Sequence, residues 1–104
     1  MNYCFALVVG VALLAAGPAR AADDGAATFN STCAGCHGED GAGDTVVGKA
    51  TGVPDLRSSQ VQGAPDSRLA DVIENGTSRM PAFKSSLTDD QVKTLIAHVR
   101  ALAR

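Results

Sequence analysis

The apolar positions of this 104-residue chain form an unbroken run near its start, periodic stripes toward its end, and little pattern between. Val92, Leu95, Ile96, Val99 and Leu102 recur at the three- and four-residue spacing that lines one face of a helix. Thr88-Asp89-Asp90-Gln91 opens that stretch as a capping box, with Leu87 and Val92 at the positions of a hydrophobic staple. Arg100 and Arg104 lie at its carbonyl end, where the helix dipole favours cations. The pattern predicts a helix over about 88–103. Leu69, Val72 and Ile73 repeat the spacing within a second helix over 66–75, which Gly76 stops. A third helix over about 24–34 is capped by Asp23 and Asp24, with Phe29 as its one large apolar side chain, facing inward. Residues 38–65 are broken by glycines and by Pro54 and Pro65, so only short helical turns are expected there, near 45–49 or 57–62. No alternating, β-branched run marks a strand, and the fold class is all-α.

The apolar run, residues 5–16, ends at Gly17-Pro18 and is followed by Ala19-Arg20-Ala21. That is the build of a secretory signal peptide, 1–21, with cleavage after Ala21. The run is shorter than the ~20 apolar residues of a membrane-spanning helix. Residues 1–4 carry no Lys or Arg, which keeps an uncleaved anchor as the alternative. The expected mature domain is 22–104, with no stable membrane insertion once cut. Loss of Arg20 makes the formal charge of −2 one unit more negative. That argues against nucleic acid or an anionic membrane as partner. The domain is small for building a core unaided, has no Trp, and keeps only two of the chain's three Phe. Something large and apolar is expected to fill it.

Cys33-Ala34-Gly35-Cys36-His37 supplies the chemistry. It reads C-x-x-C-H, the attachment signature of a c-type haem. One helical turn presents both thiols to the edge of a flat ligand, where each can add across a vinyl group as a thioether. The adjacent His37 can then coordinate the iron, while its other nitrogen donates to a backbone carbonyl, for which Pro54 is a candidate. A disulfide is the bland reading of two exported cysteines. A thioredoxin-like centre would need strands in βαβ order, and zinc two further ligands, with only His98 to offer a nitrogen. The sixth iron position points to Met80, the only Met of 22–104, in Gly76-Thr-Ser-Arg-Met80-Pro81-Ala-Phe83. A thioether is a soft ligand that favours ferrous iron. His98 is the rival ligand, with core packing as its plainer role; Lys49, Lys84 and Lys93 are further conceivable ligands. Arg57 and Arg79 could pair with haem propionates, or simply be exposed charges.

These residues together resemble the small class I cytochromes c of bacteria and photosynthetic organelles, over most of 25–102. Cys33-Ala-Gly-Cys36-His37-Gly38, the Met80-Pro81-Ala82-Phe83 segment and the final Leu-Ile-Ala-His-Val-Arg-Ala-Leu helix carry the likeness. The resemblance implies three main helices wrapped around one covalent haem c held by Cys33 and Cys36, with the first and last helices crossing beside it. Gly25 and Phe29 match the first helix's contact pair, and His98 stands where a Tyr or Trp is usual. Pro54 matches the proline whose carbonyl supports the proximal His, and Leu56 would pack on the ring. The function expected is that of a soluble monohaem carrier of single electrons. It would be a monomer in the periplasm or an equivalent exported compartment, with transient protein redox partners, and not an enzyme. The alternatives are a haem-based ligand binder or peroxidase-like enzyme with an exchangeable sixth ligand, and a dedicated subunit of one oxidoreductase complex.

Overall fold

The structure, a computed structural model, describes Gly10 and residues 21–104; the expected signal peptide otherwise lies outside the described residues. Six helices follow in order: α1 Ala21–Thr32, α2 Ala34–His37, α3 Val46–Thr51, α4 Ser59–Gln62, α5 Asp66–Asn75 and α6 Asp89–Leu102. No strand occurs among the described residues, and no helix there is long and apolar enough to cross a membrane. The three long helices are those the hydrophobic pattern predicts. The two short turns expected in the middle are α3 and α4, each capped by a hydroxyl: Thr45 accepts from the Gly48 amide and Ser58 from that of Val61.

The first helix departs from expectation. It starts at Ala21 and closes at Thr32 rather than running to 34. Cys33 keeps the helical bond to the Phe29 carbonyl (2.8 Å), but its φ of −111° lies far from the helical value near −63°. The cysteine motif therefore sits on a separate turn, α2.

Helices α1 and α6 cross and share the most extensive contact of the fold. Gly25 makes the crossing close, since a Cβ there would collide with the Thr94 carbonyl of α6 and lie 3.2 Å from His98 Cβ. Phe29, Leu95 and Val99 are buried at the junction, with Val92 and Ile96 alongside on α6. Leu56, Val61, Leu69, Ile73 and Leu87 pack against this core yet stay half-exposed. Helix α6 begins with both bonds of the capping box, Gln91 N–H to Thr88 Oγ1 (3.2 Å) and Thr88 N–H to Gln91 Oε1 (2.9 Å).

Toward its other end α6 holds the middle of the chain. The Arg100 guanidinium donates to the carbonyls of Val61, Gln62 and Ala64 at 2.6–3.3 Å and to the Asp66 carboxylate at 2.8 Å. Gln62 Nε2 bridges the Leu56 and Val99 carbonyls at 2.7 and 3.0 Å. The α4–α5 junction is thus fastened to α6 by side chains bonding to backbone.

Candidate haem site

Cys33 and Cys36 are free thiols, both half-buried. Burial, helped by the neighbouring Cys36, pushes the Cys33 thiol up to about 11, so it is held protonated at neutral pH. His37 ends α2, and burial lowers its pKa, which keeps the ring in the neutral form that ligates metals. Its Nδ1 is buried without a hydrogen-bond partner. The expected bond from this ring to the Pro54 carbonyl is therefore not formed: Pro54 sits exposed in the loop after α3. The Leu56 amide donates to Gly41 O (2.8 Å) while its side chain reaches the core.

The backbone of the motif is gripped by the loop that follows. Gly43 N–H donates to the His37 carbonyl at 2.7 Å, and Thr45 Oγ1 donates to that of Cys36 at 2.7 Å. Gly48 is buried against the same Cys36 carbonyl, so close that a Cβ would collide with it. Sequence reasoning missed these three holders, although Thr45-x-x-Gly48 at the mouth of a short helix is a readable N-cap.

Met80 is half-buried in the segment after α5. Its carbonyl accepts from Thr77 N–H (2.9 Å), and its amide donates to Thr77 Oγ1 (3.1 Å). Gly76, at φ +71°, lets the chain fold back until its Cα faces the Met80 carbonyl and the Ala82 amide. Phe83 and Lys84 then bond back to the Ile73 and Glu74 carbonyls of α5.

Neither candidate arginine is idle. Arg57 is forked onto Asp55 (Nε–Oδ1 3.0 Å, Nη2–Oδ2 3.1 Å), which holds the Asp55 carboxyl below its usual range. Arg79 Nη1 donates to the Thr51 carbonyl at 3.1 Å. His98 takes the packing role: its ring lies 4.9 Å from that of Phe29, tilted by 48°, with Nε2 buried and unpartnered and the pKa lowered by burial. Among the described residues no three His, Cys, Asp or Glu side chains come together, so the zinc reading lacks a donor set. The thioredoxin-like reading lacks its strands.

The residues present fit a haem. With Nδ1 of His37 turned into the protein, Nε2 is the ring nitrogen left for a metal. Two free thiols stand beside it, and Leu56, Val61, Leu69 and Ile73 offer half-covered apolar surface to a large flat ligand.

Residues 20–99 match the family described as cytochrome C oxidase, cbb3-type, subunit III. The chain belongs to the small class I c-type cytochromes. It is 34% identical to a cytochrome c6 of Synechococcus over 79% of this chain and 72% of that protein. A cytochrome c6 of Leptolyngbya boryana is 30% identical over 72% of this chain and 85% of its own length. The cbb3-type cytochrome c oxidase subunit CcoP of Azospirillum brasilense is 35% identical over 81% of this chain, which spans only 29% of that subunit. Among solved structures the c-type cytochrome KustC0563 superposes with a TM-score of 0.72 at 32% identity, covering 78% of this chain and 99% of that one. The cytochrome thus has the class I fold and carries covalent haem c. It is an electron-transfer protein rather than an enzyme.

Proposed function

We propose that this cytochrome is a soluble, exported, freely diffusing carrier with Cys33 and Cys36 as thioether residues and His37 and Met80 as axial ligands. Haem c, when bound, supplies a one-electron ferric–ferrous couple. The observation that carries the assignment is the placement of two free thiols and a neutral imidazole on one turn and a half of helix, with the imidazole's Nδ1 turned inward. Gly43, Thr45 and Gly48 fix that turn by its carbonyls. Leu56 covers ring surface, and Pro54 brings its carbonyl beside Gly43, which holds the His37 carbonyl. Met80 brings a thioether on a segment whose shape Gly76 and Thr77 set.

Redox partners dock transiently, over an interface of less than about 1,200 Å². Val46 (88% exposed) and Val47 lie on α3, next to Thr45 and its bond to Cys36, and offer apolar surface for such a contact. Export to the periplasm or an equivalent compartment rests on the apolar run and the Ala19-Arg20-Ala21 site. The match over most of both cytochromes c6 supports the free carrier. The oxidase-subunit match favours a second reading, a cytochrome held in one oxidoreductase complex.

Expression with an export signal in a haem-attaching host tests the proposal. The haem colour is expected to survive acid–acetone extraction, the reduced protein to resist carbon monoxide, and the cytochrome to elute alone at monomer size. Ready binding of carbon monoxide would replace the carrier with a ligand-binding protein. Co-elution with an oxidoreductase would replace it with the subunit reading.

A further inference from the structure

Two segments carry the proposed ligands, the turn ending at His37 and the loop around Met80, and 43 positions of chain separate those residues. The short helix α3 touches both. At its start Thr45 Oγ1 donates to the Cys36 carbonyl (2.7 Å) while accepting from the Gly48 amide (2.8 Å), so a single hydroxyl caps the helix and fastens it to the motif. At its end the Thr51 carbonyl accepts from Arg79 Nη1 (3.1 Å), on the residue next to Met80. The last turn is stiffened by Thr51 Oγ1 donating to Val47 O (2.7 Å). Gly52 leaves room for the guanidinium, since a Cβ there would stand 3.0 Å from Nη1.

The other bonds of the Met80 loop run within the loop or back to α5. Among the described residues, Arg79 to Thr51 is the hydrogen bond that carries the loop across to the side of the motif. We infer that α3 is a strut that sets the spacing between the two ligand-bearing segments, with Thr45 and Arg79 as its fastening residues. A six-residue helix spans about 9 Å; the start of this one is held to the motif by Thr45 and by the close approach of Gly48 to the Cys36 carbonyl, and its far end to the Met80 loop by Arg79. Arg79 is thus a positioning residue for Met80, and Thr45 one for His37. The inference rests on the His37/Met80 reading.

The test measures how tightly imidazole, a ligand that must displace the methionine, binds the oxidised holoprotein. Arg79→Ala is expected to raise the binding constant about fivefold, which is what the loss of one net hydrogen bond does to an opening equilibrium. Thr45→Val is expected to do the same and Thr45→Ser to reverse it, because serine keeps the hydroxyl. The double variant is expected to exceed neither single one by much, since a strut cut at one end is already cut. Arg79 is exposed, so its variant stays interpretable if Thr45→Val fails to mature. Met80→Ala separates the two ideas. If it binds imidazole no better than the native protein, the ligand reading itself is wrong. If it does, while Arg79→Ala binds as the native protein does, the strut is wrong. A change of reduction potential in Arg79→Ala without any change in imidazole binding would likewise overturn it, leaving Arg79 a charge near the propionates.

Discussion

The helix crossing and the haem-facing wrap are built by different means. At the crossing of α1 and α6, side chains hold the fold: Phe29 and Leu95 are each 1% exposed, and Gly25 lets the backbones meet. In the wrap, residues 38–65 and 76–86, no hydrophobic side chain is fully buried, and order comes from hydroxyls, amides and guanidinia bonding to carbonyls. The difference shows where the cofactor enters the energetics. The crossing buries its own apolar side chains, whereas Leu56 and Val61 of the wrap, with Leu69 and Ile73 of α5, stay half-covered and offer apolar surface to a ring.

The largest effect is expected from breaking the crossing. Phe29→Ala removes the ring that fills the junction and should lower the unfolding free energy by about 3–5 kcal/mol in a denaturant titration. For the wrap, Arg100→Met on α6 keeps the bulk but takes the guanidinium from the Gln62 and Ala64 carbonyls, while that of Val61 keeps its bond from the Ala64 amide. That should cost about 1–3 kcal/mol in the same titration, with Arg100→Lys recovering part of it. Near-equal losses in Phe29→Ala and Arg100→Met would mean that the two regions are not built differently.

His98 sharpens the comparison through pH. Burial lowers its pKa in the folded state, below the ordinary value of 6.5. As pH falls through 6.5 the unfolded chain takes up the proton first, so stability declines until the folded pKa is passed. The same decline is expected from any His held neutral, so the measurement is a difference between native protein and His98→Phe, which share His37. The native midpoint should fall more steeply below pH 6.5 than that of the variant; parallel curves would show that His98 is not desolvated. The smallest effect belongs to Lys49 and Asp44, paired at 2.8 Å but 73% and 72% exposed. Lys49→Met should leave the melting temperature within error, because such pairs contribute little in water.

The crossing was legible in the sequence; of the wrap, only the two short turns α3 and α4 were. Val92, Leu95 and Val99 repeat at helical spacing, Thr88 and Gln91 are three apart, and Cys33, Cys36 and His37 form a motif, so each could be read locally. His98 at the crossing followed from its place beside the stripe and from the family's aromatic there. The wrap depends on bonds between residues far apart in sequence. Arg100, expected only to complement a helix dipole, reaches back to Val61, and Arg79, a propionate candidate, reaches Thr51. Backbone carbonyls carry no residue identity, so no composition or spacing announces which of them a guanidinium will find. The same holds for His37, whose Nδ1 was expected on the Pro54 carbonyl and has no partner. The break at Cys33 was hidden for another reason, since Thr32-Cys33-Ala34 contains neither Gly nor Pro to mark it.

In the proposed carrier, the turn ending at His37 and the loop at Met80 share one iron. A redox titration of Met80→Ala beside the native cytochrome tests it most directly. The variant is expected to keep its covalent haem, lose the weak red band of ferric iron–methionine, and show a lower reduction potential, because a thioether favours the ferrous state. An unchanged potential with the band intact would contradict it.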